Sequence, residues 1–111
     1  MEYKENQAQK TRHQIGKVIE IIEEKISAQA DSQFTSLPIY SPFGIYSLPP
    51  VNSTVLILAG QNGNVCLGNM QENIDIMPGE ICIKSLGGAE IFLKNNGQVI
   101  INGQVFSAKE A

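Results

Sequence analysis

Few side chains in this sequence could carry out acid–base, nucleophilic or metal chemistry. The 111 residues include one histidine, His13, and two cysteines, Cys66 and Cys82. A zinc site usually takes three or four such ligands, and nucleophilic catalysis usually needs a histidine beside the nucleophile. His13 lies in a polar stretch near the N-terminus, where we expect it to be solvated. The sequence therefore predicts no catalytic, cofactor-binding or metal-binding residues.

The remaining candidates for chemistry also have simpler interpretations. Cys66 and Cys82 each lie inside an apolar run, so we expect them to be small buried hydrophobic residues. A disulfide between them stays open, because a spacing in sequence does not define a distance in space. Glu80 and Glu90 lie near predicted strands, but no general acid accompanies them. We expect both to be solvated or ion-paired, and we predict that the chain is not an enzyme.

Three aromatic residues, Tyr40, Phe43 and Tyr46, surround a proline-rich corner. They could form a platform for a sugar ring, and on that interpretation the protein is a monomeric β-barrel that binds a surface carbohydrate or peptide. Aromatic residues in such corners more often pack against the rest of the domain. We therefore take packing as the expectation and keep the binding module as the alternative function.

The charge distribution excludes one class of partner and indicates another. The net charge is −3, so the chain has no strong positive field for phosphates and we expect no nucleic-acid partner. Residues 32–71 contain no charged side chain, which predicts that another chain covers part of this segment. No stretch is typical of a cleaved signal peptide or a membrane span, so we expect assembly in the cytoplasm.

From Pro38 onwards the sequence is typical of an all-β protein. Apolar runs alternate with turns such as Asn62-Gly63, which tolerates the positive φ of a tight hairpin. Residues 79–106 predict four short strands with apolar residues at odd-numbered positions, which would share one face. One chain offers little to bury this face, so we predict a trimer core formed by Ile81, Ile83, Ile91, Leu93, Val99, Ile101 and Val105. The alternative is that these strands close a larger barrel or sandwich within a single chain.

The N-terminal third supports two interpretations. Ile15, Ile19, Ile22 and Ile26 are spaced 4-3-4, which favours the seam of a helical coiled coil. Residues 16–22 are equally rich in the β-branched side chains that favour a strand. Periodicity slightly favours the helix, whereas residue composition favours the strand.

The order of motifs from residue 40 onwards resembles the contractile-tail phage baseplate central spike family, which includes the phage Mu-type spikes and baseplate assembly protein V. The segment YSPFGIYSLPP at residues 40–50 is similar to the family's aromatic-glycine and double-proline signature. The segments MPGEICI at 77–83 and GGAEIFLK at 87–94 follow in the family's order. The resemblance extends over about residues 14–106, and each motif by itself is weak.

The resemblance implies an all-β, homotrimeric protein with an OB-fold-like barrel followed by a short, intertwined triple-stranded β-helix. It implies a polar arm at residues 1–13, the barrel at 14–76, the spike at 77–106 and a tail at 107–111. It also makes residues 16–22 the first barrel strand. Many members end in histidine pairs that bind iron at the tip, but this chain has no histidine after His13. We therefore expect no iron at its tip and a separate tip protein as one candidate cap.

The function implied by the resemblance is structural. The trimer would form the central spike of a contractile tail baseplate, in a virion or in a phage-derived bacteriocin or injection particle. Its partners would be two further copies of the chain, the tail hub and baseplate proteins, and transiently the envelope of the target cell. No cofactor is implied.

Overall fold

A computed structural model describes residues 12–72 and 74–110 of the chain. This part of the chain contains nine β-strands and no α-helix, so the predicted all-β class is confirmed. It divides into two compact units that meet between Gln71 and Glu72, five residues before the predicted boundary at 76. We call the first the barrel-like unit and the second the meander unit.

The barrel-like unit is one antiparallel sheet that curls towards closure. Its strand order is β3-β2-β1-β4-β5. The strands are β1 (Arg12–Ile22), β2 (Lys25–Gln29), β3 (Gln33–Leu37), β4 (Thr54–Gly60) and β5 (Gly63–Asn69). The chain just after β3 meets the opposite edge in a parallel bridge between Ile39 and Cys66. Here the N–H of Cys66 donates to the carbonyl of Pro38, and the N–H of Tyr40 donates to the carbonyl of Cys66, both at 2.9 Å.

Strand β1 decides between the two interpretations of the N-terminal third. It is an eleven-residue strand, so the strand prediction is confirmed and the coiled-coil interpretation is wrong. The isoleucine spacing misleads because Ile15, Ile19 and Ile22 are exposed, whereas the strand buries Gly16 and Val18. The β1–β2 pairing shifts register between Val18 and Glu20, which interrupts a regular two-residue period.

The predicted polar arm ends earlier than expected. Arg12 and His13 belong to β1, where they pair with Ala59 and Leu58 of β4. Pairing with the end of β4 therefore extends β1 to Arg12 and His13, which the polarity of the sequence had assigned to the arm. Residues 1–11 of the predicted arm lie outside the described residues.

The core of the described chain lies entirely within the barrel-like unit. Seven hydrophobic residues are fully or almost fully buried there: Val18, Ile26, Ala28, Leu37, Val55, Ile57 and Cys66. Gly16 makes room for this packing, because a Cβ at that position would lie 2.9 Å from Ile57 Cδ1 and 3.1 Å from the carbonyl oxygen of Gln29. Cys66 is buried as predicted.

The meander unit is a four-stranded antiparallel sheet in simple sequence order. Its strands are β6 (Ile81–Lys84), β7 (Glu90–Leu93), β8 (Val99–Ile101) and β9 (Gln104–Phe106), which match the four predicted strands. The β8–β9 turn consists of Asn102 and Gly103, with φ of 49° and 84°. Positive φ at both turn residues is the geometry that matches the natural twist of a hairpin. Residues 107–110 have no regular secondary structure.

Candidate interaction surfaces

One face of the meander sheet is almost wholly apolar. Directly opposed pairs place Ile81 beside Leu93, Ile83 beside Ile91, and Val99 beside both Leu93 and Phe106. We call this the apolar face; its members are Ile81, Ile83, Ile91, Leu93, Val99, Ile101 and Phe106. Six of them are 38–55% exposed, and Val99 is half-buried. Within the described part of the meander unit no hydrophobic residue is buried, so this sheet has no core of its own.

The pairing register corrects one member of the predicted core. Val105 pairs with Ile100 and so lies on the opposite face, whereas Phe106 pairs with Val99 and takes its place. The cause is the two-residue turn between Ile101 and Gln104, after which even-numbered residues occupy the face that odd-numbered residues held before. Gln104, which pairs with Ile101, therefore lies on the side of the sheet that carries the apolar face. The other six predicted residues share a face.

The opposite face combines apolar and charged side chains. Cys82, Phe92 and Ile100 form a half-buried row across the strands. Lys94 Nζ lies 4.5 Å from the centre of the Phe92 ring, where a cation is attracted to the ring and its methylene stem covers apolar surface. Lys84 Nζ lies 4.0 Å from Glu90 Oε2. This face therefore has the polar covering that the apolar face lacks.

The Glu80 carboxylate, just before β6, forms hydrogen bonds and an ion pair that connect this position to the turn after β7. Its side chain is only 5% exposed. The N–H groups of Met77 and Asn95 donate to its two carboxylate oxygens, each at 3.1 Å, and Lys94 Nζ lies 3.5 Å from Oε2. These donors, the Met77 N–H first, lower the pKa of the Glu80 carboxyl. The ion pairs of Glu80 and Glu90 agree with the structural role expected for both.

Neither cysteine has the surroundings of an activated thiol. Burial, and secondarily the Glu90 carboxylate, raises the pKa of the Cys82 thiol, whose Sγ lies 3.4 Å from Glu90 Oε2. Burial likewise raises the pKa of the Cys66 thiol. Both cysteines are free. A protonated thiol is a poor nucleophile and metal ligand.

The loop between β3 and β4 exposes the aromatic residues that we expected to pack. Phe43 is fully exposed, Tyr46 is 85% exposed, and Tyr40 is also exposed, so the expected packing within the chain is wrong. A tight turn explains this, since the N–H of Ile45 donates to the carbonyl of Pro42 at 3.1 Å and Gly44 has a φ of 89°. The turn carries Phe43 at its apex and away from the sheet.

A groove of about 620 Å³ lies beside this loop. Its apolar lining comes from Pro38, Ile39, Tyr46 and Leu48. Glu23 and Glu24 of the β1–β2 turn and Lys25 at the start of β2 also line it. Glu23 has a φ of 58°, a left-handed conformation that is uncommon for a glutamate. No local sequence pattern indicates the groove, because its two sides are separate along the chain and meet through the pairing of β2 with β3.

Neither a metal-binding cluster nor a membrane-spanning helix is present in the part of the chain that the structure describes. Among residues 12–72 and 74–110, no three histidine, cysteine, aspartate or glutamate side chains are placed to share a metal ion. The same residues contain no helix that is long and apolar enough to cross a bilayer. In comparisons with known proteins, no family model matches the sequence, and no curated protein matches it.

Proposed function

We propose that this chain forms the homotrimeric central spike of a contractile tail baseplate, in a phage or in a phage-derived injection particle. The observation that carries the proposal is the exposed apolar face of a sheet that has no core of its own. Such a sheet gains most of its stability by burying that face against other chains. Two further copies of the same chain are the partners that the resemblance to spike proteins implies.

The barrel-like unit supports the same proposal. Five antiparallel strands that curl until the chain after β3 meets β5 in parallel form a partly open, five-stranded barrel, which is the architecture of an OB-fold. The spike family implies this barrel followed by trimeric β-structure. The order of the two units along the chain fits that arrangement.

The expected gain from trimer formation is large for so small a sheet. Burying the exposed half of each isoleucine, leucine or phenylalanine contributes roughly 1 kcal/mol, or about 6 kcal/mol for the apolar face of one chain. That sum is comparable with the whole stability of a small domain. Neighbouring copies would also pair the free edges of β6 and β9, which removes an aggregation hazard. In the proposed trimer this unit forms the short, intertwined β-helix.

The proposed action is mechanical, and no bond is made or broken by the chain. Contraction of the tail sheath drives the tube forward, and a narrow prism with a dry core transmits that force into the target envelope. The barrel-like unit docks on the tail hub, and the uncharged segment at residues 32–71 serves either that contact or burial between subunits. A separate tip protein would complete the point of the spike.

The first test is the mass of the purified chain by light scattering behind a sizing column. We expect about 36 kDa, three copies of 12.1 kDa, and we expect that mass to persist on dilution to nanomolar concentration. A folded species of 12.1 kDa at all concentrations would overturn the proposal. Co-purification with contractile tail particles from the source bacterium then tests the placement in a baseplate.

A second candidate function rests on the exposed aromatic side chains. Tyr46 lines the groove of about 620 Å³, and Tyr40 and Phe43 are exposed nearby in the sequence. A monomeric barrel could use this surface to bind a carbohydrate or peptide. A folded monomer with saturable binding on a glycan array would favour this function over the spike.

A further inference from the structure

The strongest unassigned feature of the barrel-like unit is a projecting side chain on the same loop as an apolar groove. Phe43 is fully exposed at the apex of its turn, and it is not among the residues that line the groove. Ser41 and Tyr46, on either side of it in the sequence, do line the groove. Each chain therefore presents an apolar projection and an apolar depression that it does not bring together.

The projection is held in place by the local hydrogen bonds. The hydroxyl of Ser41 donates to the carbonyl of Ile45 at 2.8 Å, and the N–H of Ile45 donates to the carbonyl of Pro42 at 3.1 Å. Proline fixes φ at its position, and Gly44 supplies the left-handed residue that the turn needs. A side chain on such a turn loses little further freedom when it is buried, which favours binding.

A threefold assembly needs two different surfaces that fit each other. In a ring of three identical chains every contact is heterologous, because one patch on a protomer meets another patch on the next. A twofold dimer permits the same pairing twice, because residue i of one copy meets residue j of the other and residue j meets residue i. The Phe43 projection and the groove are two unlike patches of matching chemistry within one unit.

Size and charge also fit this pairing. A cavity of about 150 Å³ is sufficient to hold benzene, so the groove at about 620 Å³ has room for the phenyl ring. The segment at residues 32–71, which includes Phe43, carries no charge, so the inserting loop brings no ion with it. The groove is also lined by the charged residues Glu23, Glu24 and Lys25, which are exposed in the single chain.

From these observations we infer that Phe43 of one protomer inserts into the groove lined by Pro38, Ile39, Tyr46 and Leu48 of its neighbour. This inference rests on the proposed trimer and adds a second contact to it, separate from the apolar face of the meander sheet. The groove is complete only when the neighbouring chain contributes its phenyl ring.

Site-specific photo-crosslinking tests the inference. The probe is the full chain with p-benzoylphenylalanine in place of Phe43, prepared as an equal mixture of unlabelled and ¹⁵N-labelled protein and reassembled together. After irradiation, we expect crosslinks between labelled and unlabelled peptides whose acceptor residues lie within 23–25 or 38–48. A matched control carries the same amino acid in place of Leu86, which is 88% exposed in the meander unit, and should not label the groove.

The outcomes separate this inference from the proposed trimer, because light scattering is run on the same samples. A trimer whose Phe43 probe crosslinks only within its own chain, elsewhere on the neighbour, or not at all overturns the inference and leaves the spike proposal in place. A monomer at every concentration overturns both.

Substitution gives an independent measurement. Phe43→Ala removes an exposed side chain, so each protomer should fold normally by circular dichroism. We expect the concentration at which the trimer dissociates to rise at least tenfold, because buried aromatic anchors dominate interface energies. Leu86→Ala is the matched control and should leave dissociation within about twofold. An unchanged dissociation of Phe43→Ala would contradict the insertion.

Discussion

The two units of this chain differ in how far each buries its apolar side chains. The barrel-like unit curls its sheet around seven buried hydrophobic residues. The strands of the meander unit are richer in β-branched residues, but this sheet stays open and the isoleucines of its apolar face remain about half exposed. The strands of both units are well paired, so hydrogen bonding does not distinguish them. The difference lies in whether a sheet can close on itself.

Strand length explains that difference. Strands β1, β4 and β5 have 11, 7 and 7 residues, enough to curl and bring the two edges of the sheet together. Strands β6 to β9 have only three or four residues each. A sheet of such short strands does not curl until its edges meet, and its apolar face stays uncovered by its own chain. In the proposed trimer this face contacts the other copies.

The largest expected effect comes from a charge on the apolar face. Ile91→Asp would place three carboxylates in the core of the proposed trimer, and the desolvation of each ion costs several kcal/mol. We expect no trimer at micromolar concentration, measured by light scattering, with the barrel-like unit still folded.

The matched control uses the corrected register. Val105→Asp introduces the same charge at a residue that is as exposed as the members of the apolar face but lies on the other side of the sheet. We expect Val105→Asp to remain trimeric. If both variants assemble equally well, the apolar face is not the interface.

The second prediction compares a closed core with an open face. Ile57 is fully buried, so Ile57→Ala should destabilise the barrel-like unit by about 3 kcal/mol in denaturant unfolding. Ile83→Ala removes the same atoms from a side chain that is 53% exposed in the single chain. Ile83→Ala should lower the free energy of unfolding by about 2 kcal/mol or more if a trimer covers the Ile83 side chain. The loss should be less than about 0.5 kcal/mol if this side chain faces water.

The third prediction concerns the tight packing inside the barrel-like unit. Gly16→Ala would bring a Cβ to 2.9 Å from Ile57 Cδ1, and we expect a loss of roughly 1–2 kcal/mol from overpacking. Ile57→Val removes that methyl group. The loss in free energy of unfolding in the double variant should therefore be smaller than the sum of the two single losses. Strict additivity in thermal or denaturant unfolding would show that the contact does not limit this site.

The smallest effect is the pH dependence of the meander unit. The pKa of Glu80 is lowered in the folded chain from its ordinary value of 4.5. The carboxylate therefore contributes stability above about pH 4.5 that is lost as the pH falls through the lower, folded-state pKa. We expect the thermal midpoint of assembly to decline over this acidic range, and we expect Glu80→Gln to flatten that decline. Asp75→Asn, which changes an exposed carboxylate of the same unit, should leave it unaltered.

Local sequence signals predicted most of the strands of this protein, although they did not indicate β3 (Gln33–Leu37). The apolar runs and the turn residues located all four meander strands and the β4–β5 hairpin. In that hairpin the two turn residues are Gln61 and Asn62, one position earlier than the Asn62-Gly63 pair suggested, because Gly60 pairs with Gly63. In β1, β-branched composition predicted the structure better than isoleucine spacing did, since tertiary pairing with β2 and β4 decides which side chains are buried.

Features that depend on pairing register or on distant contacts could not be predicted. The side of the sheet that Val105 occupies depends on the number of residues in one turn, which periodicity alone does not fix. The groove needs the β1–β2 turn and the β3–β4 loop to meet, and the exposure of Phe43 needs the geometry of its turn. The hydrogen bond from the Asn95 N–H to the Glu80 carboxylate joins residues that are 15 positions apart, and no local sequence motif indicates it.

The order of the two units has a consequence for how the protein is made. All strand pairs of the barrel-like unit lie within the first 71 residues, so this unit needs no later residue to complete its sheet. Because domains generally fold as units and the N-terminal one first, the meander sheet forms after the barrel-like unit. In the proposed trimer, the time for which its apolar face stays exposed then depends on how soon other copies arrive. Translation of many copies from one messenger would shorten that interval.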